Sequence, residues 1–394
     1  MDENQGPRVL LFTGKGGVGK TTTAAATALE LAGRGHRVVV TSADPAHSLE
    51  DAFDLEIGSE PSSVAPRCDA QQLDALATVE ESWGDIRTWL VDVFDWAGLS
   101  AVEAEELALL PGFEELVALM EIERLVAAGE HDVVVVDCAP TAETIRLLSL
   151  PNVLDWYIRH LFPASRRLTR VVGPVLARVS DVPVASPEVF DSLERFHRQL
   201  AAVRDLLTDP ERTLARIVVT PERMVVAEAR RTLTYLSLFG YRSDAVVVNR
   251  ILPDDAEGSF VQQWREAQAL QLDAIREGFD PLRVLRAGLG AEEIIGVDRL
   301  TLHGKAMWEG VDPVEALSAG VPMRMEHDDD LSRLHLQLPH VSAADVDLVE
   351  SGGELAVAVG PYRRNLMLPS SLRGRKVVRA RVVHPELVIE FAPR

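Results

Sequence analysis

Apolar residues fall along this chain in two different rhythms. Through roughly the first 300 residues, short runs rich in β-branched side chains alternate with stretches of helical spacing. RVLLFT, HRVVVTSA, HDVVVVDCA, ARIVVT and DAVVVNRI are continuously apolar rather than alternating, as strands buried on both faces of a parallel sheet are. Strands separated by helices predict right-handed βαβ units in a doubly wound, mostly parallel α/β sheet. Two longer segments, residues 71–128 and 151–208, interrupt the alternation and are expected to be largely helical.

After about residue 325 the period shortens to two. RLHLQL places Leu334, Leu336 and Leu338 on one face, and ELAVAVG and ELVIEF follow as short strands between Pro, Gly and Ser turns. The charged stretch EHDDD, residues 326–330, is expected as a hinge. The pattern therefore predicts an α/β domain over residues 1–325 and a small all-β sandwich over residues 331–394.

Charge separates the two parts further. The 394-residue chain carries a net −21, yet residues 331–394 hold nine Lys and Arg against six Asp and Glu, a net +3, leaving −24 for the first 330. So acidic a chain excludes nucleic acid as a main partner, because phosphate binding needs a basic surface. Two cysteines, Cys68 in an expected surface loop and Cys138 as a small packed residue, cannot build a disulfide framework and point to a reducing cytosol. MDENQGPRVLL has no basic region leading into a long apolar stretch, and no run of about 18 uncharged apolar residues occurs. A cytoplasmic protein is expected.

The chemistry begins at GKGGVGKT, residues 14–21, which fits the G-x-x-x-x-G-K-[ST] pattern between a strand and a helix. Gly14, Gly16, Gly17, Val18 and Gly19 turn backbone N–H groups toward phosphate oxygens, and the helix N-terminus adds partial positive charge. Lys20 would neutralise the β- and γ-phosphates of ATP, Thr21 would ligate Mg²⁺ through its hydroxyl, and Thr22 would contact the α-phosphate. Asp137 closes HDVVVVD, where a strand-end carboxylate meets the Mg²⁺ shell. Asp44 closes HRVVVTSAD, placed to orient or deprotonate the attacking water. Lys15 is one lysine more than phosphate binding needs.

KGGVGKTTTA, SADPAHSLEDAF and DCAPTAETIRLLSLP, in that order, closely resemble the phosphate loop, switch I and switch II of the ArsA-type ATPases. That family includes arsenical-pump ATPases and the ATPases that deliver tail-anchored membrane proteins. PGFEELVALMEIERLV and VVVNRILP match it as well, so the likeness runs over about residues 7–310. The resemblance implies that Asn249 contacts the base, and that Lys15 reaches across a homodimer to the partner's nucleotide, stabilising charge on the transferring phosphoryl group. DPAHSL and the APT of switch II favour this branch over the partition ATPases, which share the loop and position themselves on DNA or another cue.

A metalloid site needs converging thiolates. Two scattered cysteines and Ala142-Glu143 in place of the family's Gly-His in switch II weigh against arsenite, although a pump-driving ATPase for arsenite or another anion stays open. A paired-cysteine zinc motif is missing, so any dimer forms without structural zinc. Trp83, Trp89 and Trp96, and the segment of Trp156, Tyr157, Leu161 and Phe162, occupy the places where the tail-anchor-delivering ATPases form a groove for hydrophobic helices. LHLQLPHVSAADVDLVESGGELAVAVGPYRRNLMLPSSLRGRKVVRARVVHPELVIEFAP is similar to the α-crystallin domain of small heat-shock proteins. Together these resemblances imply a homodimeric, Mg²⁺-dependent ATPase that gates hydrophobic protein segments, with a membrane receptor as a further partner.

Overall fold

The computed structural model describes residues 6–42, 48–73, 113–138, 187–328, 331–351, 354–369, 371–372 and 374–393. Asp44, most of switch II, and Trp83, Trp89, Trp96, Trp156, Tyr157, Leu161 and Phe162 lie outside them. The described residues fall into two compact units. One comprises Met1–Leu73, Leu125–Ile145 and Leu207–Arg394; the other comprises Asp74–Arg124 and Arg146–Leu206.

The first unit is built on an eight-stranded sheet in the order β3-β4-β2-β5-β1-β6-β7-β8. The five apolar runs become β1 (Arg8–Thr13), β2 (Val38–Ser42), β5 (Val133–Asp137), β6 (Thr213–Val219) and β7 (Ser243–Ile251). All five pair in parallel, with Phe12 level with Asp137 and Ser42 level with Asp137, so β1, β2 and β5 end together. Three further strands are β3 (Ser62–Ala65), antiparallel to β4 (Cys68–Gln72), and β8 (Arg283–Gly288), parallel to β7. Cys68 is thus fully buried in a strand, not set in a surface loop.

Helix α1 (Lys20–Gly33) is buried nearly all round and α2 (Ser48–Phe53) is a short turn and a half. Helices α3 (Phe113–Ala128) and α4 (Pro187–Thr208) supply the described residues of the second unit; Phe196, Leu200 and Val203 give α4 a buried stripe at helical spacing. Within the first unit follow α5 (Arg223–Phe239), α6 (Ser259–Gly278) and α7 (Val297–Met307). A Cβ on Gly304 would drive into the Ala26 carbonyl, so glycine lets α7 lie directly on α1.

The C-terminal strands form two sheets. β9 (Met323–Asp328), β10 (Leu331–Gln337), β14 (Lys376–Val383) and β15 (Glu386–Ala392) pair in the order β14-β15-β10-β9; β11 (Val346–Ser351), β12 (Glu354–Val359) and β13 (Tyr362–Met367) form the second. Leu334, Leu336, Val357, Leu366, Ile389 and Phe391 fill the space between them. Residues 323–328 pair antiparallel with β10, so the EHDDD stretch expected as a hinge includes the end of a strand. The sandwich belongs to the first compact unit because it shares its core with α5. Leu238 joins the sandwich core, Thr234 Oγ1 donates to Pro339 O at 2.5 Å, and Arg364 Nη1 donates to Leu238 O at 2.7 Å.

Candidate active site

The loop between β1 and α1 sits at the carboxyl ends of the parallel strands, where ligands of doubly wound sheets bind. Two of its glycines are obligatory. A Cβ on Gly14 would overlap the Val218 carbonyl of β6, and Gly19 has a left-handed φ of 90° with a Cβ position already taken by Asn249 Nδ2. Asn249 Nδ2 donates to Val18 O at 2.9 Å and its Oδ1 accepts from Arg250 N at 2.9 Å, so the end of β7 braces the loop. Around Gly16 and Gly17 the Cβ positions meet nothing within 4 Å.

Gly19 starts α1 without a side-chain cap, and the first turn holds no acidic residue, which leaves its N–H groups and positive end available to an anion. Lys20, in that first turn, is 6% exposed. Lys15 instead projects outward, with Nζ 3.7 Å from Glu228 Oε2 of α5 and both side chains about one third exposed (39% and 30%).

Thr21 Oγ1 donates to Asp137 Oδ2 at 2.6 Å. Ser48 Oγ, opening α2, lies 3.2 Å from Thr21 Oγ1 and 3.4 Å from Asp137 Oδ2, and Ser42 Oγ donates to the same carboxylate oxygen at 3.3 Å. Two residues expected to share a metal ion, Thr21 and Asp137, are therefore in direct contact. Ser42 and Ser48 carry no motif signature of their own, although both sit within VVVTSADPAHSLEDAF, the stretch that holds the strand-end Asp44. The donor set is entirely hard oxygen, as Mg²⁺ prefers.

Beside Gly19, Thr22 and Asn249 opens a cleft of about 470 Å³ whose far wall is residues 288–295. Cys138 follows Asp137 and is fully buried; burial, then the Asp137 charge, push its thiol up to about 12. Burial does the same to Cys68, also to about 12. Cys68 begins β4 level with Val38 and Val133, whereas Cys138 lies beyond the opposite end of β5, so the two sulfurs cannot converge on one ion.

A glycine loop feeding an uncapped helix, a buried lysine, and a hydroxyl on a strand-end carboxylate define a P-loop nucleotide hydrolase. The chain belongs to the ArsA ATPase family: the anion-transporting ATPase family matches residues 7–309, and the HSP20-like domain found in ArsA matches residues 329–391. It is 35% identical over 392 residues to the putative arsenical pump-driving ATPase 1 of Aquifex aeolicus, covering 97% of this chain and 99% of that one. Similarity extends to uncharacterized protein SCO2128 of Streptomyces coelicolor, 33% identical with 98% and 97% covered, and to ATPase GET3B of Arabidopsis thaliana, 32% identical with 76% and 78% covered. ATP hydrolysis is the activity that this membership gives the site. Among the described residues no helix is long and apolar enough to cross a membrane.

Proposed function

We propose that the chain is a cytoplasmic, homodimeric, Mg²⁺-dependent ATPase that uses nucleotide state to bind and release hydrophobic protein segments, as a chaperone or targeting factor. The observation that carries the catalytic part is the contact of Thr21 with Asp137 at the N-terminus of α1. Thr21 and Asp137 would hold Mg²⁺, which supplies charge neutralisation to the phosphate oxygens when bound. Lys20 binds the phosphates, Thr22 the α-phosphate, and Asn249 and the adjoining cleft receive the nucleoside. Asp44 activates water, and Lys15 leaves Glu228 to serve the partner's nucleotide.

The client half of the reading rests on the HSP20-like module and on cysteine chemistry. Both thiols are held protonated by burial and lie at opposite ends of the sheet, which disfavours a metalloid cargo. The rival reading, an ATPase energising an arsenite or anion pump, is favoured by the names of several relatives. One experiment separates them. Asp44→Asn protein in Mg·ATP should bind a fluorescent 20-residue transmembrane-helix peptide and release it in ADP, while wild-type turnover ignores arsenite. Arsenite-stimulated turnover with no peptide binding would replace the chaperone reading by the pump.

A further inference from the structure

A cavity of about 110 Å³ lies where the α/β body meets the sandwich. Leu233 of α5, Tyr241 at the entry to β7, Phe279 before β8, Pro322 of the linker and Pro339 of the sandwich line it, so its walls are mostly apolar. Two polar atoms of the lining residues have no partner within the protein. Arg242 is 8% exposed; its Nη1 donates to Pro210 O at 2.7 Å and its Nη2 to Ser318 O at 2.6 Å, while Nε is unmet. Ser243 is as deeply buried, and its Oγ is unmet too. Both residues line the cavity.

Carbonyl partners satisfy hydrogens on the Arg242 guanidinium but do not cancel its charge. Its ion-pair partner Glu211, 3.6 Å from Nη1, is 70% exposed and screened by solvent. Buried Asp244 is engaged by Arg216 instead, and the acid of the lining, Asp280, is exposed. We propose that this cavity binds a small apolar carboxylate of about four to six carbons, whose oxygens accept from Arg242 Nε and Ser243 Oγ while its alkyl end packs on Leu233, Tyr241 and Phe279. A carboxylate offers both acceptor oxygens and the missing charge. Water would meet the two donors but leave the cation unpaired and the apolar walls wet. Size follows from volume: an apolar cavity of about 150 Å³ takes up benzene, so about 110 Å³ admits a short branched chain and no fatty acid. Because α5 and the sandwich both wall the cavity, an occupant bridges them.

Titration of sodium isovalerate into the full-length chain at constant ionic strength, followed by ligand-observed NMR, tests this. Saturable binding with a Kd of about 1 mM or tighter is expected, within reach of about seven non-hydrogen atoms. Isovaleramide keeps the shape and a carbonyl but no charge, and should bind at least about fivefold more weakly. Ser243→Ala should weaken isovalerate roughly three- to tenfold. Ser237→Leu, which fills the cavity from α5, should abolish binding. Wild-type circular dichroism and ATP turnover identify both variants as folded. Absence of saturable binding overturns the site, as does wild-type affinity in both folded variants. Isovaleramide binding as tightly as isovalerate overturns the carboxylate, and this comparison, made on the wild-type chain, decides even where a variant misfolds.

Discussion

Arg216 and Asp244 offer a test whose size follows from their surroundings. They lie on β6 and β7, both 0% exposed, with Nε and Nη2 each 3.3 Å from the carboxylate. The same guanidinium donates to Pro313 O at 2.7 Å and stacks 4.8 Å from the Trp308 ring, while Asp244 Oδ2 accepts from Leu317 N at 3.1 Å. Thus the connection from α7 to the sandwich is fastened to β6 and β7 through a buried ion pair. Asp244→Asn removes the countercharge and leaves a cation with no water to solvate it. Breaking one partner of such a pair costs about 3–5 kcal/mol, against a typical total stability of about 5–15 kcal/mol. Arg216→Met costs a similar amount, since it strands the Asp244 carboxylate and the Pro313 carbonyl. The double variant Arg216→Met, Asp244→Leu should lose clearly less than the two singles added, because no buried charge remains. Urea unfolding followed by circular dichroism reads this as midpoints lowered by roughly 1 M for each single variant. Single variants within about 1 kcal/mol of wild type, or strict additivity, would refute the assignment of this pair as the fastening of the linker.

Other consequences are more direct. Lys20→Ala should weaken ATP binding at least about 100-fold in a filter or fluorescence assay, and near-normal affinity would remove the loop from the site. Lys15→Ala should fall in kcat by about 10³-fold, and mixing it with Asp44→Asn should restore part of the lost turnover; absence of complementation would place Lys15 in its own subunit's chemistry. His340 packs on the Phe279 ring and near His384 and Arg230; burial first, then the charges of Arg230 and His384, hold its imidazole below the ordinary range. The folded chain therefore takes up that proton less readily than the unfolded chain, so stability is level above pH ~6.5 and falls as pH drops below it. The urea midpoint should show this slope in wild type and a shallower one in His340→Asn, a residue that tolerates the left-handed φ of 64° there. Truncation after residue 322 bares Leu238 and Tyr235 of α5, and should lower the melting temperature by several degrees; an equally stable fragment would show that the sandwich is a loose passenger.

What could be read from the residues depended on how local the determining physics is. β1, β2, β5, β6 and β7 were legible because strands covered on both faces must be apolar throughout. β4, with Asp69, Gln71 and Gln72, and β8, with exposed Arg283 and Arg286, carry no such signature; backbone pairing with a neighbouring strand holds them. β9 is exposed at nearly every position and is recruited by β10 in the same way. The phosphate loop was legible since its spacing alone imposes the geometry. Ser42 and Ser48 were not, because only tertiary folding brings both within 3.4 Å of the Asp137 carboxylate. Arg216 inside ARIVVT gave no hint of burial, since an arginine in a strand ordinarily marks an exposed position.

The placement of α5 bears on how the two halves of this ATPase communicate. Near its N-terminal end Glu228 meets Lys15, the lysine proposed to serve the partner subunit. Its last turns carry Thr234, Tyr235 and Leu238, which bond to or pack into the sandwich. Ten residues of helix separate Glu228 from Leu238, roughly 15 Å along a rigid rod. An exposed ion pair at one end is weak, so little would oppose the release of Lys15 toward the nucleotide of the proposed partner subunit. The contacts at the other end are apolar and extensive, so the sandwich must follow wherever α5 goes. The loop proposed to close on a neighbour's phosphates and the HSP20-like module are thus joined by one short element. That connection would give nucleotide state a mechanical route to the module proposed to hold clients, without requiring the linker to move.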